Sequence, residues 1–283
     1  QMRQIAREFN LSETVFVFPA EHPRHTLRLR IFTPGAELHF AGHPTIGAAF
    51  VLAVMGEFSL EGEVTRVVFE EGVGPVPVSI RVVDGQPAFV QLTAPQLPEF
   101  GPAPPPPEAI AATLSLDLSD LLKGEIGPQA VSCGLPFLFV PLRKSDVVSR
   151  VRLDRGLWER YLSSYWAPHL YVFAYDSEMG GSRIHARMFA PAIGIEEDPA
   201  TGAAATALAG YLGVRSETSD GTLQWRIGQG FEMGRPSILY VEAEKARGEI
   251  VAIRVGGTSV LVSEGTMRIP RSASEEEKST PSG

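Results

Sequence analysis

The sequence is poor in cysteine: Cys133 stands alone in 283 residues. No intrachain disulfide can form, so nothing favours an oxidising compartment. No apolar run approaches the ~20 residues that span a bilayer as a helix, so no membrane role is expected. The chain opens without a signal-peptide pattern, although Gln1 is not expected to be a native N-terminus. A cytoplasmic protein is the expectation. Basic clusters are missing too. Lys and Arg total 25 against 33 Asp and Glu, a net charge of −8, and phosphate contacts need grouped cations, so nucleic acid is not expected as a partner. The H-E-x-x-H pattern is absent. His39 and His43 sit four apart, but Gly42 and Pro44 break the helix that a zinc pair at this spacing needs. No metal or cofactor is expected.

What is present is ordinary globular composition, 44% hydrophobic and 20% charged, and a repeat. Arg30-Ile31-Phe32-Thr33-Pro34 precedes His43-Pro44-Thr45-Ile46-Gly47-Ala48-Ala49. Arg187-Met188-Phe189-Ala190-Pro191 precedes Asp198-Pro199-Ala200-Thr201-Gly202-Ala203-Ala204. The copies lie 157 residues apart at Phe32/Phe189 and 155 apart at His43/Asp198. Where the first carries an imidazole, the second carries a carboxylate. Two sister halves bringing different ionisable groups to matching places predict a site at their interface.

The pattern of side chains fills in the halves. Met2–Phe9 reads as an amphipathic helix and Asn10–Glu13 as a turn. Strands are predicted at Thr14–Phe18, Leu27–Phe32, Val64–Glu70, Val76–Val83 and Pro87–Leu92. Thr45–Met55 is a helix apolar on every face, which must be buried all round. Pro95–Pro107 carries seven prolines and reads as a stiff linker. Beyond it come a short helix near Leu118–Leu122, strand character at Gln129–Val140, Leu170–Tyr175 and Ser182–Phe189, and a second all-apolar helix, Gly202–Leu212. Strands follow at Leu223–Gly228, Ser237–Glu242 and Ile250–Gly256. Val260–Arg268 is expected to cross back and complete the first half. The predicted division is an N-terminal lobe of residues 1–98 plus about 259–270, a linker 99–107, a C-terminal lobe 108–258 and a disordered tail 271–283. Each lobe is expected to be an α+β unit, a curved mixed sheet wrapped around its own apolar helix, with no second helical layer required.

Several residues could carry chemistry, each beside a plainer reading. The repeat places Gly47 and Gly202 in the first turn of the two helices, where free N–H groups and the dipole suit an anion; Pro44 and Pro199 fit simple helix starts equally well. His43 is either a donor or proton relay, or a turn histidine. Asp198, after Glu196 and Glu197, is either a site carboxylate or a cap in an acidic loop. Glu13 alone reads as a turn residue. Cys133, in an apolar stretch, reads as inert core.

Asn10-Leu11-Ser12-Glu13-Thr14, Phe40-Ala41-Gly42-His43-Pro44-Thr45 and Glu197-Asp198-Pro199-Ala200-Thr201-Gly202 resemble the three signature segments of the phenazine-biosynthesis PhzF-like family. Gln229–Ser237 resembles its late loop, and Val255-Gly256-Gly257 its entry to the last strand. The resemblance runs from Gln1 to about Arg268 and implies the diaminopimelate epimerase-like fold. It also implies a cofactor-independent isomerase that moves a proton within a small carboxylate; the best-known member acts on a dihydro-hydroxyanthranilate. By resemblance, Glu13 removes and returns the proton, while His43 and Asp198 hydrogen-bond the substrate. Backbone N–H groups near Gly42, Thr201, Gly202 and Ala203 hold its carboxylate. A homodimer is implied as well. One carboxylate can serve as base and then acid in a single turnover.

The epimerases of this fold use two thiols, near the positions of Ala41 and Asp198. One cysteine outside both motifs rules out that chemistry. The resemblance has two gaps. The family's opening strand and its Gly-Asn-Pro loop are not found before Met2: either the sequence is incomplete at its start, or the first half lacks a strand, which would expose a sheet edge and remove a site asparagine. Ala203 stands where well-studied members carry a serine hydroxyl. Two further readings follow from these gaps: a non-catalytic small-molecule binding protein, and a carboxylate-based epimerase of an amino-acid-like substrate.

Overall fold

The computed structural model describes residues 1–175 and 184–269. The first lobe starts with α1 (Met2–Phe9), which buries Ala6 and ends on Asn10 in the left-handed conformation. It continues through β1 (Thr14–Pro19), β2 (Leu27–Phe32), β3 (Glu37–Leu38), α2 (Gly42–Met55), β4 (Val64–Glu71), β5 (Gly74–Val83) and β6 (Gln86–Thr93). The second contains β7 (Glu99–Phe100), α3 (Pro107–Thr113), β8 (Gln129–Ser132), β9 (Pro136–Pro141), α4 (Ser145–Arg150), α5 (Arg155–Tyr161) and β10 (His169–Tyr175). It ends with β11 (Ile184–Ala190), β12 (Ile195–Asp198), α6 (Gly202–Gly213), β13 (Gly221–Gln229), β14 (Ser237–Ala246) and β15 (Glu249–Gly257).

One continuous ladder runs β1-β2-β4-β5-β6-β15-β14-β13-β11-β10-β9-β8-β7, with β3 on β2 and β12 on β11. The lobes are therefore sewn together at an antiparallel seam, β6 against β15, where Leu92 faces Val255 and Val90 faces Gly257. The seam is tight. A Cβ on Gly256 would stand 2.7 Å from the Val90 carbonyl oxygen and 2.7 Å from the Phe89 ring, so no larger residue fits there.

Each half-sheet curls around its helix. α6 packs on β8, β9, β13, β14 and β15, strands from both ends of its half of the ladder, and every residue of it but Ala203 is buried. The R-x-F element of the repeat is a strut. Side chains two apart share a strand face, so Arg30 stacks over Phe32 at 5.3 Å and Arg187 over Phe189 at 5.0 Å. Each guanidinium then grips one glutamate with two bonds: Glu37 on β3 (2.7 and 2.7 Å) and Glu197 on β12 (2.7 and 2.8 Å).

Several sequence expectations are corrected. α2 is not buried all round. Val54 and Met55 are exposed and Gly47, Ala48 and Val51 half-buried. The sister lobe supplies the reason: β10 has β9 beside it in parallel, whereas β1 pairs only with β2 among the described residues. A groove of about 670 Å³ bounded by Val15, Val17, Ala48, Val51 and Met55 stays open there. Second, Val260–Arg268 forms no strand. Val260 is 79% and Val262 88% exposed; β6 is already paired on both sides, and the segment makes no ladder with β1.

Third, the proline-rich stretch is not a free linker. Glu99 and Phe100 pair with Ser132 and Val131, and Gly101 donates to the Ala130 carbonyl at 3.0 Å, because the prolines leave these N–H groups available. Fourth, the C-terminal lobe does carry an outer helical layer. α3, α4 and α5 cover the outer face of β9 and β10, burying Ile110, Leu114, Val148, Trp158, Leu170 and Val172 in a second core. That is why β9, β10 and β11 are buried on both faces. Fifth, Gln129–Val140 is a hairpin, β8 and β9, rather than one strand. The Leu118–Leu122 helix is a three-residue 3-10 turn, Leu118–Asp120. Ser182, Arg183 and the tail 271–283 lie outside the described residues.

Candidate active site

The two central helices meet end to end. A Cβ on Gly42 would lie 3.0 Å from the Gly202 Cα, and the reverse distance is also 3.0 Å. Gly42 opens α2 and Gly202 opens α6, and neither helix has a side-chain cap on its first turn. The fold thus matches Gly42 with Gly202, which corrects the register read from the repeat. Gly47 falls in the second turn of α2, away from the meeting point. His43 is the second residue of α2 and Ala203 the second of α6. Asp198 ends β12, before its helix rather than on it.

Beside this junction lies a cavity of about 310 Å³ lined from both lobes. Glu13, His43, Asp198, Gly42, Thr201, Gly202 and Ala203 all border it, whereas Gly47 and Cys133 do not. Glu13 is placed by the turn that feeds β1. Its Oε2 lies 2.9 Å from His43 Nε2, and its side chain is only 9% exposed. Burial works against charging His43. The close contact with Glu13 and its charge, then the charge of Asp198 across the lobe boundary, outweigh it and hold the pKa of His43 above its ordinary value.

Asp198 is 4% exposed. Burial raises its pKa, while the charge on His43 and a hydrogen bond from Thr201 oppose the rise. Thr201 Oγ1 donates to Oδ2 at 2.6 Å; Oδ1 is buried and has no partner among the described residues. One oxygen is held and the other is left for a ligand.

The holding group behind it was not singled out as a site residue, although Gln229 begins the late loop of the resemblance. Gln229, fully buried, donates through Nε2 to the Asp198 carbonyl at 2.7 Å and to Thr201 Oγ1 at 2.9 Å. Its Oε1 accepts from the Tyr171 hydroxyl at 3.1 Å. Nothing in the sequence marks Tyr171, whose phenol is kept protonated by burial. His169 also lines the cavity; burial pulls it down to about 4, so it is neutral. Gln229→Leu is expected to strand three buried polar groups. It should cost about 1–3 kcal/mol in denaturant unfolding and lower turnover, because each orphaned partner pays its desolvation.

Among the described residues no lysine or arginine lines the cavity. The starts of α2 and α6, without side-chain caps, leave backbone N–H groups of the kind that suit an anion. Cys133 is buried beyond β8, its thiol pushed up to about 12, so it supplies no nucleophile. Among the described residues no group of three or more His, Cys, Asp and Glu side chains could hold a metal, and no helix is long and apolar enough to cross a membrane.

Residues 1–265 match the family model of phenazine biosynthesis-like proteins, PhzC-PhzF. The chain belongs to that family. An uncharacterized isomerase of Mesorhizobium japonicum, mll1393, is 39% identical over 271 residues, 95% of this chain and 88% of its own. The trans-2,3-dihydro-3-hydroxyanthranilate isomerase of Pseudomonas aeruginosa is 35% identical, covering 94% and 87%. The crystal structure of a PhzF-family phenazine biosynthesis protein of Bacillus anthracis superposes with a TM-score of 0.83 at 25% identity, covering 95% and 88%. The fold is accordingly diaminopimelate epimerase-like and the protein an isomerase. That outcome sets aside the non-catalytic binding protein.

Proposed function

We propose that this protein is a cofactor-independent isomerase that shifts a proton between two carbons of a small carboxylate, with Glu13 as the moving base and acid. The observation that carries this reading is the 2.9 Å contact of Glu13 with His43 at a cavity that Asp198 also enters from the other lobe. The substrate carboxylate sits against the N–H groups at Gly42, Gly202 and Ala203, beside Thr201, whose own N–H is given to Gln229 Oε1 at 3.4 Å. Glu13 takes the carbon-bound proton, leaving its electron pair delocalised over the adjacent unsaturation. Its carboxyl proton exchanges with solvent, and Glu13 then delivers a proton to a second carbon, so atoms and charge balance without a co-reactant. His43, charged more readily than a free imidazole, stabilises the delocalised anion, and the free Oδ1 of Asp198 orients a substrate donor.

The similarity to the Pseudomonas aeruginosa enzyme makes a cyclic dihydro-hydroxyanthranilate the first compound to test. The surrounding wall, with Leu135, Phe137 and Met188, suits a ring. A homodimer and a cytoplasmic site of action belong to the same reading. The test is turnover in deuterium oxide. Trans-2,3-dihydro-3-hydroxyanthranilate should isomerise, with solvent deuterium entering the product at the newly protonated carbon. Loss of optical activity from an amino acid, with no reaction of the diene, would instead mark an epimerase. Ala203→Ser adds a hydroxyl on the second residue of α6, facing the cavity. It should lower KM for the anthranilate-type substrate several-fold, as one added hydrogen bond does, with little change in kcat.

A further inference from the structure

Behind the first turn of α2 lies a carboxyl group that the proton shift does not use. Glu71, the last residue of β4, is 8% exposed. Its Oε1 lies 2.6 Å from Thr45 Oγ1. The same Oγ1 lies 2.7 Å from the Ala41 carbonyl oxygen. A hydroxyl has one hydrogen, and a carbonyl can only accept. Two bonds this short cannot share that hydrogen. If Thr45 donates to Ala41, the other bond has to be donated by Glu71, and only a protonated carboxyl can do so. The remaining oxygen, Oε2, is buried without a partner. That is tolerable for a neutral acid and costly for a carboxylate.

Among the described residues no cation is set against a charge there. Arg28 on β2 pairs with Glu21 and Arg30 with Glu37; Arg66 on β4 and Arg81 on β5 lie toward the opposite end of that hairpin, where Val64 faces Arg81 and Arg66 faces Ser79. The other titratable groups on the elements around Glu71 are His39 before α2, His43 on α2 and Glu70 on β4. His39 packs against Gly72. His43 faces Glu13. Glu70 is engaged by His25 and the N–H groups of Glu21 and His22. β5 and β6 offer apolar side chains to the core under α2, Val76, Val78, Ile80, Val90 and Leu92.

We infer that Glu71 is a positioning residue that acts as a neutral acid, clamping the start of α2 through Thr45 so that Gly42 and His43 stay aimed into the cavity. The backbone needs the help. Ala41 is the residue that caps α2, and the Thr45 N–H reaches its carbonyl only at 3.3 Å. Loss of the Glu71 proton turns the Thr45 hydroxyl toward the new carboxylate, strips Ala41 of its stronger bond and puts an unpaired charge beneath the site. Burial, the dominant cause, lifts the Glu71 pKa to about 7, which places that loss in the neutral range. The clamp rests on the proposed proton shift only for its effect on rate; its protonation is read separately.

The test uses Glu71→Gln, whose amide donates to Thr45 and never ionises. Urea unfolding of the whole chain is compared with wild type from pH 4.5 to 9. An acid with a raised folded pKa contributes stability below its unfolded value and loses it as pH climbs to the folded value. Wild type should therefore fall behind the Gln variant between about pH 4.5 and pH 7, by on the order of a few hundred-fold in folding equilibrium, and run parallel above. Parallel curves throughout would mean a Glu71 ionised at all pH and would overturn the inference. In the deuterium-exchange assay, wild type should lose rate above pH 7 while Glu71→Gln holds it. Thr45→Val, which breaks the clamp without moving a charge, should lower kcat at every pH. If the unfolding curves diverge as described and no substrate turns over, the clamp stands and the proton-shift reading fails.

Discussion

Glu13→Gln is expected to slow deuterium exchange and product formation by about 10²–10⁴, the range lost with a general acid/base. The substitution keeps size and hydrogen-bonding reach while removing the electron pair that takes the proton. Glu13 is mostly buried and makes its contact with His43 rather than with a strand, so folding should be little changed. KM should move less than kcat, because the carboxylate of the substrate is held at the helix starts and not by Glu13. A second readout is independent of substrate. Glu13 supplies the largest of the influences that raise His43, and burial alone pulls in the other direction. In Glu13→Gln the His43 imidazole should titrate at lower pH by NMR. Unchanged exchange with a lowered His43 titration would show that the pair exists and that the base lies elsewhere. Unchanged titration would remove the pair itself.

The Glu13 prediction also marks where the sequence stops being legible. The scaffold is written in local pattern: two segments without a polar face, Thr45–Met55 and Gly202–Leu212, can only be central helices, and the R-x-F spacing follows from strand period. Asp198 and His43 were visible beside proline and glycine. Glu13 was not distinguishable from any turn carboxylate without the resemblance, since its role comes from contact with a residue thirty positions on. Tyr171 and Gln229 are further removed still, 58 residues apart in the chain and joined by one hydrogen bond. Glu71 looks like one half of an ordinary acidic pair at a strand end; only the hydroxyl of Thr45 and the absence of a cation give it meaning. The outer layer of α3, α4 and α5 escaped because these helices have six or seven residues each, too few for a helical period to stand out. Val260–Arg268 misled for the opposite reason. Its alternation suits a strand, but a strand needs an edge to join, and the ladder offers it none that it takes.

The register of the repeat is the sharpest disagreement, and it yields the second large effect. Aligning like residues equates Gly47 with Gly202, whereas the fold equates Gly42 with Gly202. The two alignments predict opposite outcomes for one methyl group. At Gly42 a Cβ meets the Gly202 Cα at 3.0 Å, the Gly202 carbonyl carbon at 3.2 Å and the Ala203 nitrogen at 3.4 Å. These are backbone atoms of a buried helix start and cannot swing aside, so the lobes must part. Gly42→Ala should cost about 1–3 kcal/mol, the usual toll of overpacking. It should also cut turnover by about 10²-fold, because a misplacement of near 1 Å spoils the alignment of reacting groups. Gly47 has nothing within 4 Å of its Cβ position and lies inside a helix. Gly47→Ala should raise stability by up to about 1 kcal/mol through helix propensity and leave turnover intact. Denaturant unfolding and exchange rates on the two variants decide between the alignments. A harmless Gly42→Ala beside a crippling Gly47→Ala would mean that the helices do not meet where the backbone places them, and the anion seat between them would go with that contact.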